Sequence, residues 1–324
     1  MRVTEYERYL GDFLGNSLSE SVFKTIQSRK GLTMRLISEI KVTVEDYRAN
    51  SVGGILVGLK IWEQAVIPYL FANSSCWMET PKKAINLLNS IQRDFFRSLF
   101  LQAKGCPIPL FLYDTASLSA ENIIILNKLL FISHLCHLPD SSLAKEVYIL
   151  QKEQSLHEGL VTECDKHLRE LNIFSGPEFF SKKAWKKLIL QRLHKRNEEQ
   201  LLSQIETYKK LDFEKLSKEG YGIKPYLADM TVSRARTFFS ARASMLSTVK
   251  LNFKNKKEYA DKDFLCECGE HPDDQAALLT CNLYAHLREG LNLHTSDHDI
   301  VTYYQRVIKE RHDRENEINL RHDS

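Results

Sequence analysis

Only one short run of this chain reads as a β-strand, and that constrains its fold more than any other feature. Glu7 to Leu14 alternates, with Tyr9, Gly11 and Phe13 on one face and Leu10, Asp12 and Leu14 on the other, until Gly15-Asn16 ends it. No later segment alternates as well. Apolar residues recur instead at three- and four-residue intervals, the spacing that gathers them on one face of a helix. Ser19 is suited to cap a first helix carrying Val22 and Ile26, and beyond a break at Lys30-Gly31 the stripe continues through Leu32, Leu36 and Ile40. A second helix is expected over 49–65, bent at Pro68, and a third from Thr80-Pro81 through Ile85, Leu88, Ile91 and Phe95.

Gly105-Cys106-Pro107-Ile108-Pro109 reads as a breaker, followed by helices near 119–137, 141–154 and 158–171. Ser175-Gly176-Pro177 is the best linker. After it, helices are expected from Ser181 through Trp185, Ile189, Leu193 and Ile205, over 231–246, and from Ser296 to about Glu317. The expected fold class is mainly α, with one short N-terminal strand.

With 43% of its 324 residues hydrophobic, the chain has ample material for a core. The most apolar stretch, 55–72, is interrupted by Lys60, Glu63 and Pro68, so no membrane span and no membrane partner are expected. The opening MRVTEYERYL lacks the apolar centre of a secretory signal, and Cys76, Cys106, Cys136 and Cys164 are scattered singly, as reduced thiols are. The expected compartment is intracellular, nuclear or cytoplasmic.

A net charge of +3 conceals an uneven distribution: residues 181–257 hold 19 Lys and Arg against 7 Asp and Glu. Lys182, Lys183, Lys186 and Lys187 share a helix with Trp185, Ile189 and Leu193, so the apolar column can pack while the lysines face water and track phosphates. Taken alone, this is also what any solvated helix face looks like. The second basic group is Arg234, Arg236, Arg242, Lys250, Asn252, Lys254, Lys256 and Lys257, interleaved with Phe238, Phe239 and Phe253. Aromatics among cations, Phe239 in particular, can stack unpaired bases while the cations hold the backbone. The competing reading puts at least one of Phe238 and Phe239 in the helix core.

Three stretches, in order, resemble the region after the palm in reverse transcriptases of non-long-terminal-repeat retrotransposons. They are Arg8-Tyr9-Leu10-Gly11; then Arg234-Ala235-Arg236, leading through Arg242 and Met245 to Asn252-Phe253-Lys254; then Cys266-Glu267-Cys268 with Asp274-Gln275 and Leu278-Leu279-Thr280-Cys281 after it. The resemblance spans nearly the whole chain. It implies a strand that closes a palm at 1–17, thumb-like helices at 18–140 and a helical connector and linker at 141–177. A basic helical region at 178–257, a knuckle-like cap at 258–290 and a final helix at 291–324 would complete the chain.

It also implies a partner, RNA or DNA, and no catalytic residues in this chain. The family's metal-binding aspartates precede the Tyr-Leu-Gly strand, so the chain starts too late to hold them, and the parent reading frame would be an RNA-directed DNA polymerase. Tyr259-Ala260-Asp261-Lys262 cannot substitute, because two-metal phosphoryl transfer needs convergent carboxylates and Lys262 stands where the second would be.

The family's zinc knuckle reads Cys-x-x-Cys, then His-x-x-x-Cys. Here the first pair is Cys266-x-Cys268 and the histidine position is Ala277. One structural zinc ion is the implied cofactor, with Cys266, Cys268 and Cys281 as three ligands and His271 as the fourth, or His286 as a second choice. The alternative is a decayed knuckle of reduced thiols. His134-Leu135-Cys136-His137 reads as a helix end, since no further ligand completes a set nearby. The rival function is a helical interaction domain without nucleic-acid affinity.

Overall fold

Helices take up most of the chain. The computed structural model describes residues 6–9, 12–15, 17–46, 51–77, 80–154, 159–209, 211–246, 265–266, 268–270, 275–293 and 296–322, and among these fourteen α-helices come after one β-hairpin. The alternating N-terminal run is divided into β1 (Tyr6–Tyr9) and β2 (Asp12–Gly15), paired antiparallel with Tyr9 opposite Asp12. Dividing it lets each half satisfy the other's backbone groups, which a lone strand cannot do.

The hairpin rests on α1 (Leu18–Asp46), where Thr25 Oγ1 accepts from the Phe13 N–H at 2.8 Å. Arg29, on the same helix, donates to Asp12 and, at 2.8 Å, to the carbonyl of Ala72. The break expected at Lys30-Gly31 does not occur. A single helical glycine costs about 1 kcal/mol, and the stripe of Val22, Ile26, Ile37, Ile40 and Val44 that α1 buries outweighs it. Val22, Ile26 and Ile40 are buried as expected, but between Ile26 and Ile40 the buried positions are Arg29, Thr33 and Ile37, so Leu32 is exposed and Leu36 half-buried.

Helix α2 (Gly54–Ile61) continues through a π-helical turn, Trp62–Val66, into α3 (Ile67–Leu70). Pro68 lacks an N–H and its ring crowds the carbonyl four residues earlier, so the wider turn before it relieves the clash without breaking the helix. Gly58 lies where α2 crosses α1 and α4 (Lys82–Phe100): a Cβ there would come within 2.6 Å of Leu99 and 2.9 Å of Val44. Gly58→Val should therefore lower the unfolding free energy by about 1–3 kcal/mol, measured by denaturant titration; an unchanged midpoint would show that the helices can part at no cost.

Past α5 (Ile108–Asp114) and α6 (Ala120–Cys136) come α7 (Leu143–Glu153), α8 (Leu160–Glu170) and the long α9 (Lys182–Glu206). On α9, Trp185, Ile189, Leu193, Asn197, Leu201 and Ile205 are buried at four-residue intervals, the column anticipated from the sequence. Trp185 Nε1 donates to the Leu129 carbonyl at 2.8 Å, and Asn197 accepts from Asn122 at 3.0 Å and donates to the Ser117 carbonyl at 3.0 Å. The buried polar side chains that α9 itself contributes, Trp185 Nε1 and Asn197, are thus paired.

Lys128 is almost fully buried on α6 and meets Glu163 of α8 at 2.6 Å. Burial alone would push the Glu163 carboxyl up, but its contacts with His167 and Lys128 outweigh that and hold it below the usual carboxylate range. A depressed folded-state value gives stabilisation that is complete above the unfolded value of about 4.3 and is lost as pH falls through the lower one. Lys128→Met should weaken this acid-dependent loss, read as a shallower fall in stability below about pH 4.3 than wild type shows; an identical profile would deny the pair that role.

The remaining helices are α10 (Phe213–Glu219), α11 (Tyr226–Asp229), α12 (Val232–Arg242), α13 (Gln275–Thr280) and α14 (Asp297–His322). One apolar cluster runs from Val22 to Ala243 and takes in Val301 of α14. It includes Ile173 and Trp185, on either side of Ser175-Gly176-Pro177, so the expected linker joins parts of one core, with Pro177 buried. A second, small cluster holds Ala241, Leu246, Cys266, Leu278, Cys281, Tyr284, Tyr303, Tyr304 and Val307, and forms the C-terminal cap. Among the described residues no helix is long and apolar enough to cross a membrane.

Candidate nucleic-acid surface and metal centre

The two basic groups read from the sequence meet different fates. On α12 the arginines are consumed by packing. Arg234 donates to the His298 carbonyl at 2.7 Å and to Thr302 Oγ1 at 3.0 Å, tying α12 to α14. Arg236 donates at 2.9 Å to the carbonyl of Leu99, a cation at the C-terminal end of α4, and lies 3.7 Å from Glu45. Its pKa is lowered, chiefly by burial.

Arg242 faces Asp114 with two parallel bonds, Nε to Oδ2 at 2.8 Å and the NH2 nitrogen to Oδ1 at 2.9 Å, and also reaches Glu219 at 2.6 Å. Asp114 is fully buried at the end of α5 and accepts a third bond from Tyr226 Oη at 3.0 Å. Burial would lower the Arg242 pKa, but Asp114 outweighs it and holds the guanidinium charged.

Phe239 corrects the stacking expectation most sharply. It is wholly buried, its ring 4.4 Å from Phe111 and 4.5 Å from Phe100, so no base can reach it. Phe238 is buried too, against Tyr226. Lys250, Asn252, Phe253, Lys254, Lys256 and Lys257 lie outside the described residues, as does Tyr259-Ala260-Asp261-Lys262.

On α9 the lysines remain available. Ser181 caps the helix by accepting from the Ala184 N–H at 3.3 Å, and Lys182, Lys183, Lys186 and Lys187 in the first two turns are all exposed. None forms an ion pair with a described residue, and the first turn carries no carboxylate. The backbone dipole makes a helix N-terminus positive, so four lysines there lower the helix's own stability and concentrate positive potential at one end. Such a placement gains nothing for the fold. It suits an anion.

The third group is the cap. The sulfur atoms of Cys266, Cys268 and Cys281 all lie within 4.8 Å of one another, with Cys266 and Cys281 at 3.7 Å. Cys266 and Cys281 are buried and Cys268 is half-buried. A tetrahedral zinc thiolate site, with bonds of about 2.3 Å, sets its sulfurs about 3.8 Å apart, whereas a disulfide would need about 2.0 Å.

The Gly269 N–H closes a turn onto the Cys266 carbonyl at 2.8 Å, with Gly269 at φ +75°, and the Glu270 N–H lies 3.5 Å from Cys268 Sγ. Burial, and then the neighbouring thiols, push the Cys266 thiol up to about 11. Arg311, largely buried on α14, sits 3.9 Å from Cys266 Sγ and donates to Tyr284 Oη at 2.9 Å. The donor set fits three ligands of one soft or borderline cation.

His286 does not join them. Its Nε2 lies 2.9 Å from Glu310 on the exposed side of the cap, so it is spoken for, and His271 is outside the described residues. The three cysteines come together as their spacing suggests. Asp114, Glu219 and Phe111, the partners that bury Arg242 and Phe239, escape sequence reasoning because they lie far away in the chain and carry no local signal. No protein-family model, curated protein or solved structure matches this chain.

Proposed function

We propose that this protein is a non-catalytic nucleic-acid-binding module of the kind found after the palm in retrotransposon reverse transcriptases, holding RNA or DNA phosphates on the N-terminal turns of α9. The observation that carries this reading is the exposed, unpaired Lys182, Lys183, Lys186 and Lys187 at the positive end of that helix. Binding of this kind releases counterions, so affinity should fall steeply with salt. Filter binding of a labelled RNA hairpin and a DNA duplex from low to high salt tests it; affinity that is absent, or that ignores salt, contradicts it.

The burial of Phe239 and Arg242 favours a second reading, a helical scaffold that binds proteins and no nucleic acid. The same titration separates the two.

The cap is read as a structural zinc site, with Cys266, Cys268 and Cys281 as thiolate ligands and His271 or water completing four-fold coordination. Zinc there would neutralise the thiolates and hold the turn at Gly269 against α14. Purified protein should carry about one zinc per chain, released on thiol modification, and Cys281→Ser should abolish it. Metal-free protein from zinc-supplemented expression would sink this assignment.

A further inference from the structure

Two phenylalanines that line one cleft stand in water, and the second, Phe179, precedes the lysine end of α9 by three residues. Phe174 is 85% exposed and Phe179 is 76% exposed, the two most exposed aromatics among the described residues. Neither stands out in the sequence. Helix α8 ends in a tight turn in which Asn172 takes a left-handed φ of 54° and the Ile173 N–H bonds back to the Leu168 carbonyl at 2.8 Å. The turn buries Ile173 in the core and sends Phe174 outward.

Phe179 closes the short 3-10 turn Pro177–Phe179, three residues before Lys182. Its neighbours are braced: Pro177 is buried, the ring of Phe180 packs 5.6 Å from Trp185, and His137 Nε2 lies 3.1 Å from the Phe180 carbonyl. Both phenylalanines thus project from ordered backbone.

Between them lies a cleft of about 370 Å³, also lined by Tyr148, Lys152, Asp165 and Arg169. Lys152 is neutralised by Glu178 at 2.8 Å. Asp165 and Arg169 give the wall one acceptor and one set of donors. Scattered single apolar side chains on a surface need no explanation. Two exposed rings lining one cleft, with Phe179 three residues before Lys182 and the exposed lysines that open α9, call for an occupant with a flat apolar face and an anionic backbone.

We infer that Phe174 and Phe179 form a stacking platform for unpaired bases, so that the α9 surface takes single-stranded nucleic acid in preference to duplex, with Lys182, Lys183 and Lys186 on the phosphates. The inference rests on the phosphate-binding reading of α9 and sharpens it. In a duplex the base faces are already stacked and cannot enter the cleft. In a single strand every base offers a face, so recognition would tolerate any sequence.

The test is anisotropy titration of the full chain with a fluorescent oligouridine and with a blunt duplex of equal phosphate number, at one fixed salt concentration. Three proteins are compared: wild type, Phe174→Leu/Phe179→Leu, and a variant with Lys182, Lys183, Lys186 and Lys187 all changed to Gln. Both sets of substitutions are at exposed positions, and circular dichroism and thermal unfolding confirm that each variant folds. The expected result is tighter wild-type binding of the single strand, a loss of about tenfold or more for it in the phenylalanine variant, and little change for the duplex. The lysine variant should lose affinity for both.

If the phenylalanine variant keeps single-strand affinity while the lysine variant loses it, the platform is refuted and the phosphate surface stands. If neither variant changes either affinity, or wild type binds neither probe, the α9 reading falls and the platform with it; the exposed rings would then belong to a protein contact.

Discussion

Phe239→Ala is expected to lower the unfolding free energy by about 3–5 kcal/mol, near the top of what one substitution does. Phe239 enters the main core from α12 together with Ala235 and Phe238, and its ring is wholly buried. Rings succeed one another from Trp62 to Phe95 at 4.1 Å, Phe95 to Phe96 at 5.1 Å and Phe96 to Phe111 at 5.6 Å, and Phe239 lies against Phe111 at the end of the series. Removing it leaves a cavity walled by Phe100 and Phe111, on helices fixed by their own packing, so the site cannot collapse around the gap. Equilibrium denaturation reads the loss. A cost below about 1 kcal/mol would mean that the ring is not buried and would return it to the candidates for base stacking.

Arg242→Met is expected to cost a similar amount, about 3–5 kcal/mol, for an electrostatic reason. Asp114 is fully buried and Arg242 supplies its countercharge through two bonds, leaving only the Tyr226 hydroxyl when the guanidinium goes. The buried carboxylate then keeps only the more distant charge of Lys224, and a buried charge without a hydrogen-bonded partner penalises folding. Asp114→Leu combined with Arg242→Met should recover much of the loss, since replacing both partners removes the uncompensated charge. If the single and double variants are equally unstable, packing and not the ion pair accounts for the effect. Nucleic-acid affinity of the folded protein should be untouched by the single variant, which separates its role from that of the lysines.

How far such features can be read from the sequence depends on whether the physics is local. The α9 column is evident because Trp185, Ile189, Leu193 and Ile205 repeat at helical spacing beside lysines, and the cap cysteines because two of the three are separated by one residue. Helix α5 is not evident. Its Ile108-Pro109-Leu110-Phe111-Leu112-Tyr113 is apolar on every side, since it is buried all round, and two prolines at its start read as a breaker although proline suits the first helical turn.

The cationic reading of α12 errs for the opposite reason. Arg234, Arg236 and Arg242 look like a cationic surface in isolation, and only the tertiary approach of His298, Leu99 and Asp114, between 64 and 137 residues away, turns them into ties between helices. Phe174 and Phe179 escape notice because phenylalanines in a sequence read as core, and their exposure comes from two turns whose geometry no periodicity announces.

If anionic ligands are held by the lysines of α9 and not by the arginines of α12, the salt dependence of binding must report it. The quantity to measure is the RNA and DNA affinity, across a salt series, of the variant with Lys182, Lys183, Lys186 and Lys187 changed to Gln, beside wild type. Each phosphate that is no longer neutralised reduces the slope of log affinity against log salt by about 0.7–0.9. The slope should therefore be lower by about three units, with weaker binding at low salt. An unchanged slope in a variant that folds normally would contradict the assignment of phosphate binding to α9.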